Sequence, residues 1–156
     1  MINSILDYLE QSAKKFPEKV FLSSKKEHIT YTQFVEQSKK LATQLLKFNT
    51  KNKPYVVYAA QDLHSLIIFF GILYSGNFYV PVGVDNPKER LTAILENVYQ
   101  NEENKIIIGH DEEGYFIESF DDGFENSEIS RLNLNEINQQ KWYDPIPNHA
   151  KLPNRS

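Results

Sequence analysis

The apolar positions of this chain change their period along its length, and each change predicts an element. Ile2, Ile5, Leu6, Leu9 and Ala13 recur at helical spacing, with Asn3 or Ser4 able to cap the run and Pro17 ending it. Val20 to Ser24 reads as a short strand, and Glu27 to Thr30 as its hairpin return across Lys25-Lys26. Thr30 or Thr32 then caps a long helix. Its expected buried stripe is Phe34, Leu41, Leu45 and Leu46, with Ser38 and Ala42 as small neighbours. Asn49 to Lys53 is a polar loop.

After Pro54 the text becomes more apolar. Tyr55 to Ala60 is a continuous run of the kind found in a central parallel strand covered on both faces. Asp62 caps a helix from Leu63 to Ser75 that is apolar nearly all round and is therefore expected to be buried. Gly76 fits its C-terminal cap, where a left-handed backbone is needed. Phe78 to Val82 is the next strand, with Phe78-Tyr79-Val80 read as a core segment. Pro87 opens a helix that runs to about Val98 on Leu91, Ile94, Leu95 and Val98. Lys105 to Gly109 is a further buried strand. Strand and helix alternating with short connections predict an α/β fold: a wound, mainly parallel sheet with helices on both faces.

The last third is less regular. Tyr115 to Ile117 fits a strand hairpin-linked to Ile106–Ile108 across Asp111 to Gly114, and Asp121-Asp122-Gly123 marks a turn. Glu128 to Asn133 reads either as one more strand or as the lead into a short helix near Glu136 to Gln140. Residues 1–143 are expected to form a single α/β lobe. Residues 144–156, with Pro145, Pro147 and Pro153, form a proline-rich tail.

Composition narrows the function classes. The 156 residues are 40% apolar and 24% charged, as in ordinary soluble domains, and are enough for one core without staples. A net charge of −4, with lysines in scattered pairs, argues against nucleic acid as a partner. The longest apolar run, Leu66 to Tyr74, is far short of the ~20 residues needed to span a bilayer. No basic-then-apolar leader opens the chain, and there is no cysteine, so disulfides and thiolate chemistry are excluded. A cytoplasmic protein that contacts neither membrane nor nucleic acid is the expectation.

Candidate chemistry is sparse. His28, His64, His110 and His149 are isolated from one another in sequence, without metal-ligand spacing, and His64 reads as a packed or capping residue. The pairs Glu112-Glu113 and Asp121-Asp122 sit beside turn glycines as solvated turns. The six glycines, at 71, 76, 83, 109, 114 and 123, are never closer than five positions, so neither a Walker loop nor a dinucleotide fingerprint can be built from them. No catalytic, cofactor-binding or metal residue is assigned.

Three segments nevertheless carry a family resemblance. They are His28-Ile29-Thr30-Tyr31-Thr32-Gln33-Phe34, the helix from Leu63 to Gly76 followed by Tyr79-Val80-Pro81, and Pro87-Lys88-Glu89-Arg90-Leu91. In this order and at these separations they resemble the amino-terminal part of the adenylate-forming enzymes, over roughly residues 3 to 110. That superfamily comprises acyl-CoA synthetases, peptide-synthetase adenylation domains and D-alanine–carrier-protein ligases. The Tyr-Val-Pro-Val wording is most similar to the last two. Tyr74, Gly83 and Val84 depart from the family pattern and are read as surface or turn changes, whereas Gly76, Pro81, Pro87 and Arg90 are kept.

The resemblance implies a structural lobe of an enzyme that turns an acid and ATP into an acyl-adenylate and pyrophosphate. Transfer to a thiol of CoA or a carrier protein would follow. ATP and Mg would be bound only in a full-length relative, through motifs that lie further along than this sequence runs. The tail 144–156 would then be a truncated link to the ATP-binding part. The implied partner is the rest of the enzyme, or a self-association partner. The alternative is a standalone interaction module descended from that lobe.

Overall fold

The structure, a computed structural model, describes residues 5–136. The candidate caps Asn3 and Ser4, most of the possible helix at 136–140, and the tail 144–156 lie outside the described residues.

Helix α1 (Ile5–Lys15) buries Leu6 and Leu9 and is followed by β1 (Val20–Ser23) and β2 (His28–Thr30), an antiparallel pair. Thr30 caps α2 (Tyr31–Leu45). Its hydroxyl accepts from the Gln33 N–H, while the Gln33 side chain accepts from the Thr30 N–H, so two otherwise orphaned donors are satisfied together. The buried stripe of α2 is Phe34, Val35, Ser38, Leu41, Ala42 and Leu45. Leu46 departs from expectation. It is 39% exposed, because the α-helix ends at Leu45 and the chain tightens into a 3₁₀ turn at Leu46–Phe48.

The main sheet has the order β4-β3-β5-β6-β7, with β3 (Pro54–Ala59) between β4 (Phe78–Gly83) and β5 (Ile106–Asp111), both parallel to it. Strands β6 (Gly114–Phe120) and β7 (Ser127–Leu132) then add in antiparallel fashion, so the sheet is mixed. A two-residue connection, Glu112-Glu113, cannot accommodate a crossover, and β6 therefore folds straight back on β5. Of the two readings of Glu128 to Asn133, the strand is found. A 3₁₀ turn at Leu134–Glu136 follows it.

Alternation along the strands separates two cores. Tyr55, Val57, Ile106, Ile108 and Ile117 face Leu41 and Leu45 of α2 and Ile68 and Ile72 of α3 (Leu63–Tyr74). Val56, Val82 and Ile107 face the other way, against Leu95 of α4 (Lys88–Val98) and the following Tyr99. Helices thus cover both faces. A third apolar cluster joins α1 and β2 to the far sides of α2 and α3 through Leu6, Leu9, Ile29, Phe34, Ala42 and Ile67. Helix α3 lies between the sheet and this outer layer, which explains why it is apolar all round.

Helix α3 ends in a Schellman motif. The Asn77 N–H reaches the Ile72 carbonyl, the Gly76 N–H reaches that of Leu73, and Gly76 has φ of 86°. Two other expectations need correction. Phe78 and Tyr79 are 47% and 37% exposed, because β4 is an edge strand with β3 on one side only. Tyr74 is no surface position: it is 2% exposed, and its hydroxyl donates to Glu10 of α1.

Candidate functional site

Strands β3 and β4 are neighbours, yet the chain leaves β3 for α3 on one face and β4 for α4 on the other. Diverging connections of this kind open a crevice beyond the carboxyl ends of the strands, where open α/β sheets commonly hold ligands. At this end a cleft of about 330 Å³ lies between the β1–β2 hairpin and the start of α3. Leu22, Ser23 and Ser24 form one wall, and Ala60 to Leu63, Ser65, Leu66 and Phe69 form the other. Phe69 stacks on Tyr79 of β4, with centroids 4.1 Å apart.

The polar groups at the start of α3 are engaged. The Asp62 carboxylate accepts from the Ser65 N–H at 2.9 Å, and the Ser65 hydroxyl accepts from the Ala60 N–H at 2.9 Å. A carboxylate at a helix N-terminus is favoured by the helix dipole, and it occupies the position an anion would take. Among the described residues that line the cleft there is no lysine or arginine. These residues do not fit a nucleotide phosphate, and among the described residues no group of three or more His, Asp, Glu or Cys could hold a metal ion. What the cleft offers is an apolar floor with serine, glutamine and carboxylate groups at its edge.

Next to the cleft, four side chains from four segments converge. His64, in the first turn of α3, stacks on His110 at the end of β5, with ring centroids 3.7 Å apart and planes within 8°. His64 Nδ1 is 2.7 Å from the Tyr115 hydroxyl of β6, and Nε2 is 3.0 Å from Glu27 Oε2 in the hairpin. One assignment satisfies every group with a neutral ring: Nε2–H donates to the carboxylate, and the tyrosine O–H donates to Nδ1. Tyr115 also meets the His110 ring edge-on at 4.6 Å.

Burial sets the titration here. It pushes the Tyr115 hydroxyl well above its usual range, and nearby Asp62 and Glu27 add to that. Burial, and then the facing His64, hold His110 below the ordinary histidine value, against the opposing pull of Asp62, Glu27 and Asp111. Asp111 itself is held low, first by its bond from Arg131 of β7.

His64 is a packed histidine, as its place on an apolar helix predicted, and the cap is Asp62. The histidines isolated in sequence are not all isolated in space, since His64 and His110 share a stack. Partners 37 and 51 positions away, Glu27 and Tyr115, complete the cluster, and no local pattern announces them. The acidic pairs are turn residues, as expected: the Asp111 and Asp121 carboxylates accept from the Glu113 and Glu125 N–H groups. A larger groove of about 470 Å³ runs between α1 and α2, where Lys39 pairs with Glu10 at 2.8 Å.

Comparison with known proteins adds the family context. The profile of one family, described as AMP-binding enzyme, matches residues 9–122. The chain is 32% identical over 97 residues to a D-alanine–D-alanyl carrier protein ligase of Staphylococcus haemolyticus (strain JCSC1435), covering 62% of this chain and 19% of the ligase. Among solved structures, IdnL1 superposes with a TM-score of 0.62 at 16% identity, over 74% of this chain and 26% of that one. An artificially fused adenylation–carrier di-domain, NpsA-ThdA from Klebsiella oxytoca, does so with a TM-score of 0.57 at 21% identity, over 62% and 19%. The chain spans about a fifth of the length of the carrier protein ligases it matches and a far smaller share of the peptide synthetases. The solved structures support the fold, and the sequence matches support the family.

Proposed function

Because the chain belongs to the AMP-binding enzyme family, we propose that it is the amino-terminal structural portion of an ATP-dependent amino-acid or acyl adenylating ligase, catalytically incomplete on its own. The observation that carries this reading is the unit α3–Gly76–β4–Pro87–α4. It lies inside the family match and forms one continuous piece of the parallel sheet. Three of the four family-like residues kept in it have an architectural role. Gly76 closes a buried helix, Pro81 sits in the edge strand, and Pro87 precedes the first turn of α4.

In this reading ATP and Mg are held by the rest of the enzyme, and this chain supplies the sheet and helices beside them. The carboxylate that caps α3 supports that division of labour. The partner is that remaining part, the acceptor is a thiol of a carrier protein or CoA, and the location is cytoplasmic. None of the described helices is long and apolar enough to cross a membrane.

Calorimetry with Mg–ATP and a pyrophosphate-exchange assay across amino acids test the reading. Neither binding heat nor exchange is expected from this chain alone. Saturable micromolar ATP binding would place the nucleotide site within these residues and overturn it. The alternative of an interaction module is favoured by one observation, the exposed apolar side chains Phe78, Tyr79 and Val84 on and beside the β4 edge. It predicts self-association or capture of a partner, which Phe78→Ser with Tyr79→Ser abolishes in light scattering.

A further inference from the structure

The five-stranded sheet ends in two edges, β4 and β7, and the direction of their backbone groups makes them unlike. The Phe78 N–H bonds to the Lys53 carbonyl at the start of β3. Successive residues of a strand turn their backbone groups to alternate sides, so Val80 and Val82 also face β3, and Tyr79, Pro81 and Gly83 face outward. Pro81 carries no N–H. It therefore breaks the row of donors on the free side of β4, as prolines on sheet edges do.

Strand β7 has no such break. The Phe120 N–H bonds to the Lys105 carbonyl beside β5, and the Asp121 N–H bonds to the Asn126 carbonyl just ahead of β7. The same alternation turns Glu128, Ser130 and Leu132 toward β6 and leaves Ser127, Ile129 and Arg131 pointing outward. The register with β6 runs through all six residues without a bulge, and the strand contains neither proline nor lysine. Among the described residues no strand lies beyond it. The chain does not fold straight back along this edge, because Leu134 packs inward against Leu41 and Leu45 of α2. The Arg131 side chain is drawn away from it, to Asp111 and Glu113 at the β5–β6 turn.

We propose that β7 is the pairing edge for a second copy of this chain, joined antiparallel across a two-fold axis at Ile129 to make one continuous sheet. The occupant is read from the strand's self-complementarity. Backbone bonding requires outward residues to oppose outward residues, and the symmetric registers that make more than one such pair centre on Glu128, Ile129 or Ser130. Centring on Glu128 sets Glu128 against itself, and centring on Ser130 sets Ile129 against Arg131. Centring on Ile129 uses every outward residue: Ile129 meets Ile129, Ser127 meets Arg131, and Glu128 meets Ser130. No like charges oppose, and an isoleucine 54% exposed in the single chain is covered by its twin. Such a contact closes on itself. It adds about six backbone hydrogen bonds but is one strand wide, so the dimer is weak and concentration-dependent.

The test is sedimentation velocity of the full chain from about 10 µM to about 1 mM, with amide exchange at both ends of that range. The weight-average mass should rise from 18.2 kDa toward twice that value. At the low concentration the Ser130 amide should be protected and those of Ile129 and Arg131 should exchange freely. At the high concentration the latter two should slow about fivefold. Ile129→Pro removes one outward donor and no bond to β6, so it should keep its circular dichroism and stay monomeric. If that variant does not fold, Ile129→Lys keeps the backbone donor and opposes two like charges at the axis. It should raise the concentration for half-dimerisation at least about tenfold. Phe78→Ser with Tyr79→Ser, on the other edge, should leave this dimer intact. The proposal is overturned by a monomer at every concentration, by a dimer that persists unchanged in the Ile129 variants, by its loss in the β4 variant, or by dimerisation without slowing at Ile129 and Arg131. Nucleotide binding is measured separately, so none of these results touches the adenylating reading.

Discussion

Tyr99 offers the sharpest test of how the sheet is held. It follows the last turn of α4, is buried, and its hydroxyl sits between two strands. The oxygen accepts from the Val56 N–H at 2.8 Å and donates to the Ile106 carbonyl at 2.5 Å. It thus stands in for a rung between β3 and β5, whose register covers only Val56↔Ile107 and Val57↔Ile108. Tyr99→Phe keeps the ring in its cluster but strands both backbone groups, with Val56 fully buried.

An unsatisfied buried N–H costs about 1–3 kcal/mol, and loss of the bond to the carbonyl adds about 1 kcal/mol, so a loss of roughly 2–4 kcal/mol is expected. Urea unfolding, with a slope of about 2 kcal/mol per molar, should show a midpoint lower by roughly 1–2 M. Tyr55→Phe serves as the control. Its hydroxyl pairs with the Thr50 side chain rather than with strand backbone, and its loss should cost only about 0.5–1.5 kcal/mol. A Tyr99→Phe protein within about 0.5 kcal/mol of the parent would refute the bridging role, because so small a change lies below the cost of one stranded donor.

Gly71→Ala should lower stability by about 1–2 kcal/mol, although alanine is worth ~1 kcal/mol more than glycine in a helix. A Cβ there would lie 2.7 Å from Leu41 Cδ2 and 3.0 Å from Leu41 Cβ, which α2 cannot withdraw; a raised Tm would show that the helices have room. At high pH, burial and then Glu118 lift Tyr58 to about 12, and Tyr99 and Tyr115 lie above the usual tyrosine range. Unfolded tyrosines ionise near 10, so the fold holds protons the unfolded chain has lost, and stability falls as pH rises above about 10. Absorbance at 295 nm (tyrosinate) should therefore lag until the circular dichroism signal collapses, and simultaneous titration of all nine tyrosines in a folded protein would contradict this burial.

The succession of elements and their local punctuation were legible in the amino-acid sequence. Asp62, Gly76 and the Thr30 box act within a few residues of themselves, so their roles are written in short-range spacing. The all-apolar helix and the Ile106–Ile108 run likewise disclosed burial, because only two covered faces tolerate such text. Sheet order was beyond that reach. Phe78 and Tyr79 are as apolar as a core strand, but β4 became an edge when the next crossover carried β5 to the far side of β3. Tyr74, Tyr99 and the cluster of Glu27, His64, His110 and Tyr115 were decided by tertiary structure alone. Each is completed by a partner from another element, and hydrophobic periodicity, which reports one helix or strand at a time, carries no record of which side chains meet when elements pack.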